Sequence, residues 1–216
     1  MRQIRALTLL PAVDGINSSV TTGPCFHPTG STPDIHYPMI RPLPFENAYW
    51  VIPGKLMAGE YPSARTEPEA ERRLEAMLDA GVTYFLDLTT DDDPLDPYEQ
   101  PVRDLATRRG GEISYSRRAI RDMGCPSAEE MSVILDEIDA AIADGHVVYV
   151  HCWGGIGRTG TVVGCFLVRR GRDGDGALAE VARLYGNMSA RKRLNFPQSP
   201  QTKRQRDFVR LWTENG

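Results

Sequence analysis

The stretch Val147-Val148-Tyr149-Val150-His151-Cys152-Trp153-Gly154-Gly155-Ile156-Gly157-Arg158-Thr159-Gly160 decides how this chain is read. It opens with a short apolar run, the pattern of a strand buried on both faces of a parallel sheet. Gly154, Gly155 and Gly157 follow, and a helix is predicted over Thr159–Arg170. Glycines let the backbone bend tightly and turn several N–H groups toward one point. The helix adds its free N-terminal N–H groups and the positive end of its dipole. Arg158 brings a planar fork that matches two phosphate oxygens. Trp153, Gly154, Gly155, Ile156, Gly157 and Arg158 therefore read as a phosphate cradle. Cys152 opens the loop and faces the same concavity, where the field that attracts a dianion also favours a thiolate. A thiolate beneath a captured phosphorus is a nucleophile placed for in-line attack. The plainer alternative is a small-residue turn with a buried cysteine. It has no use for an arginine fork and three glycines converging on one centre.

Outward from this loop, strands and helices alternate. Ala48–Ile52 and Leu56–Gly59 read as strands about a Pro53-Gly54 turn. Thr66 and Glu69 have capping-box spacing and predict a helix to Ala80, stopped by Gly81, with Leu74, Met77 and Leu78 as its apolar stripe. Thr83–Leu88 reads as a buried strand, Pro101–Arg109 as a helix and Glu112–Arg118 as a strand. Ser127 and Glu130 form a second capping box, opening a helix to Ala143 with Met131, Ile134, Leu135 and Ile138 on one face. Ala177–Tyr185 and Thr202–Trp212 complete the set. The alternation predicts an α/β fold, a three-layer sandwich with a mainly parallel central sheet flanked by helices. In such sheets ligands sit beyond the carboxyl ends of the strands. Residues 1–44 are rich in Pro, Thr, Ser and Gly without periodicity, and read as a poorly ordered arm before a catalytic domain over 45–216. Tyr49, Trp50 and Tyr61 read as core in preference to cleft walls, and Cys165 as core.

The 216 residues suffice for one domain with a real core; 41% are apolar, 25% are charged, and the formal net charge is −4. This balance leaves no electrostatic footprint for nucleic acid or an anionic membrane as main partner. Any phosphate site must make its own positive potential. Arg2 and Arg5 precede a short apolar run, but Pro11 and Asp14 interrupt it, so a secretory signal is not read there. The four cysteines show neither disulfide nor zinc spacing, and a cytoplasmic location with no metal or cofactor is the expectation.

His151 to Gly160, HCWGGIGRTG, resembles the signature of the protein tyrosine phosphatase superfamily, which includes dual-specificity and lipid phosphatases. The resemblance implies Cys152 as nucleophile and Arg158 as phosphate clamp. It implies Thr159 as the hydroxyl that hydrogen-bonds the departing thiolate, and His151 as the residue that orients the cysteine. The family also needs a general acid on a separate loop, about thirty residues upstream in compact members, because an alkoxide leaves badly. Asp122, in Ile120–Ser127, stands there. Asp91, Asp92, Asp93 and Asp96 are a rival source, read as a solvated loop. Pro200–Gln205 resembles the Gln-Thr-x-x-Gln loop whose glutamine places the hydrolytic water, so Gln201 or Gln205 is a candidate; an ordinary polar helix start is an equal reading. The implied substrate is a phosphorylated protein or small phosphate ester, with phosphotyrosine foremost. An inositol phosphate or phosphoinositide is the alternative, lowered by the uncharged Trp153, Gly154, Gly155 and Ile156 where such enzymes tend to carry lysines. An inactive phosphate-recognition module is the rival from another class. Cys125, three residues beyond Asp122, raises the question of a redox link to Cys152, and reads more simply as a loop cysteine.

Overall fold

In the computed structural model, residues 42–213 are described; of the arm read over 1–44, all but 42–44 lies outside them. A five-stranded sheet runs in the order β1-β2-β5-β3-β4. The strands are β1 (Ala48–Ile52), β2 (Leu56–Gly59), β3 (Tyr84–Asp87), β4 (Ser114–Arg117) and β5 (Val148–His151). β5 is the middle strand. It pairs in parallel with β2 and β3, β4 pairs in parallel with β3, and β1 alone is antiparallel. Alternation sends Val148, Val150 and Leu86 into one core and Tyr149 and Phe85 into the other. Burial on both faces is why β5 reads as an unbroken apolar run.

Helices cover both faces. On one, α1 (Glu67–Asp79) and α2 (Glu99–Arg108) bring Leu74, Met77, Val102 and Leu105 against Phe85 and Tyr149. On the other, α3 (Ala128–Ala143), α4 (Gly157–Arg169) and α5 (Gly174–Tyr185) supply Leu135, Val163 and Val181. After the short α6 (Ala190–Asn195), α7 (Lys203–Leu211) closes this layer with Val209. Each fully buried aliphatic side chain contributes roughly 1.5–3 kcal/mol relative to exposure. The sandwich is the one the alternation predicts. The carboxyl ends of the parallel strands align in register, with Gly59 and Asp87 beside His151 and Arg117 beside Asp87. The site grows from this edge.

Local signals vary in accuracy. The Ser127–Glu130 capping box forms in both directions, at 3.1 and 2.7 Å. At α1 the Thr66 side chain makes no cap bond. Pro68 in the first turn lacks an N–H, and Glu67 and Glu69 face the positive dipole end, which together start that helix. α6 has no sequence signature because its six residues, ARKRLN, form no apolar stripe.

Candidate active site

The loop after β5 is held by its carbonyls. The Trp153 carbonyl accepts from Tyr61 N at 2.9 Å, Gly154 O from Lys192 Nζ at 2.7 Å and Ile156 O from Ser199 Oγ at 2.8 Å. The N–H groups of Trp153, Gly154, Gly155 and Ile156 find no acceptor among the described residues. With the carbonyls tied outward, the amides of a tightly turned loop are left for a ligand, which is how an anion nest is built. Only glycine fits at 155: its φ is +69°, and a Cβ there would lie 2.4 Å from the Gly59 carbonyl carbon. Cys152 is buried at the loop's start, and α4 begins at Gly157. The Thr159 hydroxyl is buried without a partner among the described residues, a state that costs about 1–3 kcal/mol unless something accepts or donates there. The Tyr49 hydroxyl, in the same core cluster as Cys152, is in the same condition.

Arg158 is 2% exposed despite its charge. Nη1 donates to Asp93 Oδ2 at 2.7 Å and to Ile120 O at 3.1 Å, and Nη2 donates to Asp93 Oδ1 at 3.0 Å. Asp93 also accepts from Thr90 N at 2.8 Å. Burial would raise the Asp93 carboxyl, but the Arg158 and Thr90 hydrogen bonds outweigh it and hold the group below the usual carboxylate range. This corrects the reading of Asp91 to Asp96 as uniformly solvated: Asp91, Asp92 and Asp96 are exposed, whereas Asp93 turns inward to fix the arginine. Nothing in the charge run marks the one carboxylate that Thr90 folds back.

Asp122 Oδ1 lies 3.2 Å from Arg158 Nη2, with the side chain 59% exposed. Asp122 therefore stands over the arginine from the solvent side, opposite the buried Asp93. The turn that carries it is closed by Gly124 N donating to Arg121 O at 2.9 Å, and Met123 adopts φ 59°. A side chain in that left-handed region costs about 1–2 kcal/mol, strain of the kind stored where a loop is held in one shape.

Behind the loop lies a buried polar network. His151 Nδ1 contacts the Cys152 carbonyl at 3.3 Å and Nε2 meets the Tyr98 hydroxyl at 2.5 Å. A carbonyl only accepts, so Nδ1 carries the proton and Nε2 accepts from Tyr98. Burial lowers the His151 pKa despite Asp87 nearby, which keeps the ring neutral. Burial opposes the charge of Asp87 too. Hydrogen bonds from the Thr89 N–H and hydroxyl and from the Tyr115 hydroxyl offset it and keep Asp87 below its usual range. None of Asp87, Tyr98 and Tyr115 was singled out as a site residue by sequence pattern.

Gln205 is fully buried. Its Oε1 accepts from Thr202 N at 3.0 Å and its Nε2 donates to Gly124 O at 3.0 Å. A Cβ at Gly157 would fall 2.9 Å from the same amide. Gln205 thus joins the Asp122 loop, the start of α7 and the start of α4. Gln201 is partly exposed, and its carbonyl accepts from Arg206 at 2.9 Å. Tyr49 and Tyr61 are buried in the core, as expected, and Tyr61 also borders a recess beside Trp153. Cys165 is wholly buried. Cys125 lines a surface hollow with Arg204, Phe208 and Trp212, and burial raises its thiol pKa.

A cysteine and an arginine spanning a loop of free amides, at the carboxyl edge of a parallel sheet, place the chain with proteins of the tyrosine and dual-specificity phosphatase type. The chain belongs to the PTP-SAK family, described as Swiss Army Knife protein, DSP-PTPase phosphatase domain, whose profile matches residues 45–209. Among curated proteins, the putative tyrosine phosphatase 067L of Invertebrate iridescent virus 3 is 26% identical over 128 residues, 56% of this chain and 45% of that protein. The uncharacterized protein MJECL20 of Methanocaldococcus jannaschii is 48% identical over 44 residues, 20% of this chain and 30% of that one. The chain thus spans less than half the length of these two relatives. Among solved structures, Tk-PTP in its active form is 26% identical, with TM-score 0.55, covering 78% of this chain and 97% of that one. Kinase associated phosphatase, 18% identical with TM-score 0.55 over 71% of this chain and 83% of that one, shares the fold. No helix among the described residues is long and apolar enough to cross a membrane.

Proposed function

We infer that the protein hydrolyses phosphate monoesters through a cysteinyl-phosphate intermediate, with phosphotyrosine in proteins as the principal substrate and phosphoserine and phosphothreonine as further ones. The observation that carries this is the four unpartnered amides of Trp153 to Ile156 between Cys152 and Arg158. Such a nest, in a loop whose carbonyls are tied outward, is matched to a tetrahedral dianion. The Cys152 sulfur attacks phosphorus, and the bond to the leaving oxygen breaks as Asp122 gives that oxygen its proton. Water then attacks phosphorus, the S–P bond breaks, and Asp122 takes the water's proton. Arg158 and the amides hold the equatorial oxygens in both steps. Thr159 supplies a hydroxyl to the departing sulfur, which would give that orphaned group its partner. His151 orients Cys152 from behind through the backbone. Gln201, whose side chain is not claimed by the acid loop, is the better placed of the two glutamines to align water. The electrostatic work rests on Arg158 and backbone dipoles, and no metal step is invoked.

The test is hydrolysis of p-nitrophenyl phosphate by the purified protein. Turnover is expected to survive EDTA, to be blocked by vanadate and to vanish in Cys152→Ser, which should still bind phosphate esters. Turnover that persists in Cys152→Ser, or is lost in EDTA and restored by a divalent ion, would replace this mechanism. No turnover together with tight binding would identify a recognition module instead. The inositol phosphate reading takes second place here: Lys192 reaches the loop, but its ammonium is tied to Glu60 and to the Gly154 carbonyl.

A further inference from the structure

Beside the cradle, on the side of Trp153 and Gly154, lies a recess of about 250 Å³ to which the mechanism assigns no part. Arg65, Arg73 and Lys192 line it, as do Glu60 and Asp96. These groups differ in state. Glu60 is clamped between Arg73, at 2.8 Å, and Lys192. Both cations donate again to backbone, Arg73 to Tyr61 O at 3.0 Å and Lys192 to Gly154 O at 2.7 Å. That trio is internally satisfied and forms a fixed wall. Arg65 is exposed and makes no ion pair or hydrogen bond among the described residues. Arg65, the one of the three cations without a partner among the described residues, therefore lines a recess that also meets the loop at Trp153 and Gly154.

The geometry points to a carboxylate-binding subsite: the recess takes an Asp or Glu side chain that flanks the phosphorylated residue of a protein substrate, held by Arg65. This rests on the phosphoprotein reading above. Three cations against two carboxylates leave a single excess positive charge, and one planar fork matches one carboxylate. A polyphosphate carries several charges, more than the single excess positive charge of the recess balances. Tyr61, Leu95 and Trp153 offer apolar surface for the aliphatic stem of the incoming side chain.

The experiment scans Glu against Gln through the positions flanking phosphotyrosine in synthetic peptides, and measures kcat/KM for wild type and Arg65→Gln. Wild type is expected to prefer Glu over Gln at one position by about two- to fivefold, the upper range of an exposed charge pair. The preference should shrink at high salt and disappear in Arg65→Gln. Arg65→Glu should prefer a Lys peptide at that position. Equal use of Glu and Gln peptides by wild type, or an unchanged preference in Arg65→Gln, overturns the subsite. A preference for inositol polyphosphates over every peptide, lost in Arg65→Gln, overturns it in favour of a polyphosphate site. If p-nitrophenyl phosphate is not turned over either, the hydrolase reading has failed on its own. Affinities of Glu and Gln phosphopeptides for Cys152→Ser, with and without Arg65→Gln, then still decide the subsite.

Discussion

Both terminal nitrogens of Arg158 are held by one carboxylate, Asp93, at 2.7 and 3.0 Å, and the pair is almost wholly buried. Two parallel hydrogen bonds fix the plane of the guanidinium as well as its position, so Asp93 sets the direction in which the clamp faces the loop. Removing one partner of a buried pair strands the other charge, at a cost of roughly 3–5 kcal/mol. Asp93→Asn is therefore expected to lower thermal stability and to cut kcat by about tenfold or more, since a small misplacement of a positioning group is felt strongly. Asp91→Ala and Asp92→Ala, which change only exposed carboxylates, should behave as wild type. Melting curves and kcat for the three variants check this. Normal turnover in Asp93→Asn would show that Arg158 keeps its orientation without the pair.

Gln205 makes a second link, between the start of α7 and the Asp122 loop through Gly124 O at 3.0 Å. Gln205→Ala leaves Thr202 N and Gly124 O without this partner, at a cost of about 1–3 kcal/mol if they stay buried. A merely structural loss would lower stability and slow all substrates alike. Release of the acid loop should instead slow alkyl and tyrosyl phosphates more than p-nitrophenyl phosphate. Gln205→Met, which fills the same space and loses the donor to Gly124, should reproduce the leaving-group bias without opening a cavity. Equal slowing of every substrate would reduce Gln205 to a helix cap.

The reach of the sequence follows from the range of the interactions involved. β5, the glycine turn and α4 were legible because their signals are local: an apolar run, three glycines and an arginine within one short stretch. The Ser127 cap was legible for the same reason. Asp93 was not, because its partner lies 65 residues away and its neighbours carry the same charge. Lys192 was missed with α6, whose six residues carry no periodicity, although it closes on the loop across 38 residues. Gln205 was noticed for its resemblance to a water-placing glutamine, while its bond to Gly124 spans 81 residues and has no local sign.

Neutral His151 ties stability to pH. Its pKa is lowered by burial, so the folded state takes up a proton less readily than the unfolded chain. Stability from this group is complete above the unfolded value, about 6.5, and is lost as the pH falls below it. Protonation would also turn Nε2 into a donor facing the Tyr98 hydroxyl, 2.5 Å away. Asp87 and Asp93 titrate below the usual carboxylate range and add their own loss only at lower pH. The melting temperature should therefore drop between pH 7.5 and pH 5.5, and His151→Gln, though less stable at pH 7.5, should show a narrower gap. An equal gap in the two proteins would assign the acid sensitivity elsewhere.

Asp122 and Asp93 both contact the guanidinium of Arg158, and their surroundings differ. Asp93 is buried, doubly bonded to Arg158 and held ionised, which suits a fixed counter-charge and not a proton donor. Asp122 is 59% exposed, on a turn, 3.2 Å from Nη2 on the solvent side, where a carboxyl can reach a leaving group and exchange protons with water. Removal of a general acid typically costs about 10²–10⁴-fold, and the cost follows the leaving group's need for a proton. Asp122→Ala should thus lose most on tyrosyl and alkyl phosphates, which leave as strong bases, and less on p-nitrophenyl phosphate, which leaves readily as the anion. The basic limb of the pH–rate profile should flatten, because it records loss of the proton that the acid donates. Asp91→Ala, Asp92→Ala and the exposed Asp96→Ala should leave the limb and the leaving-group dependence as they are. Asp93→Asn should depress kcat for all leaving groups while keeping the basic limb. If Asp122→Ala instead costs one common factor for every substrate and retains that limb, Asp122 only helps to hold Arg158, and the proton must come from another group.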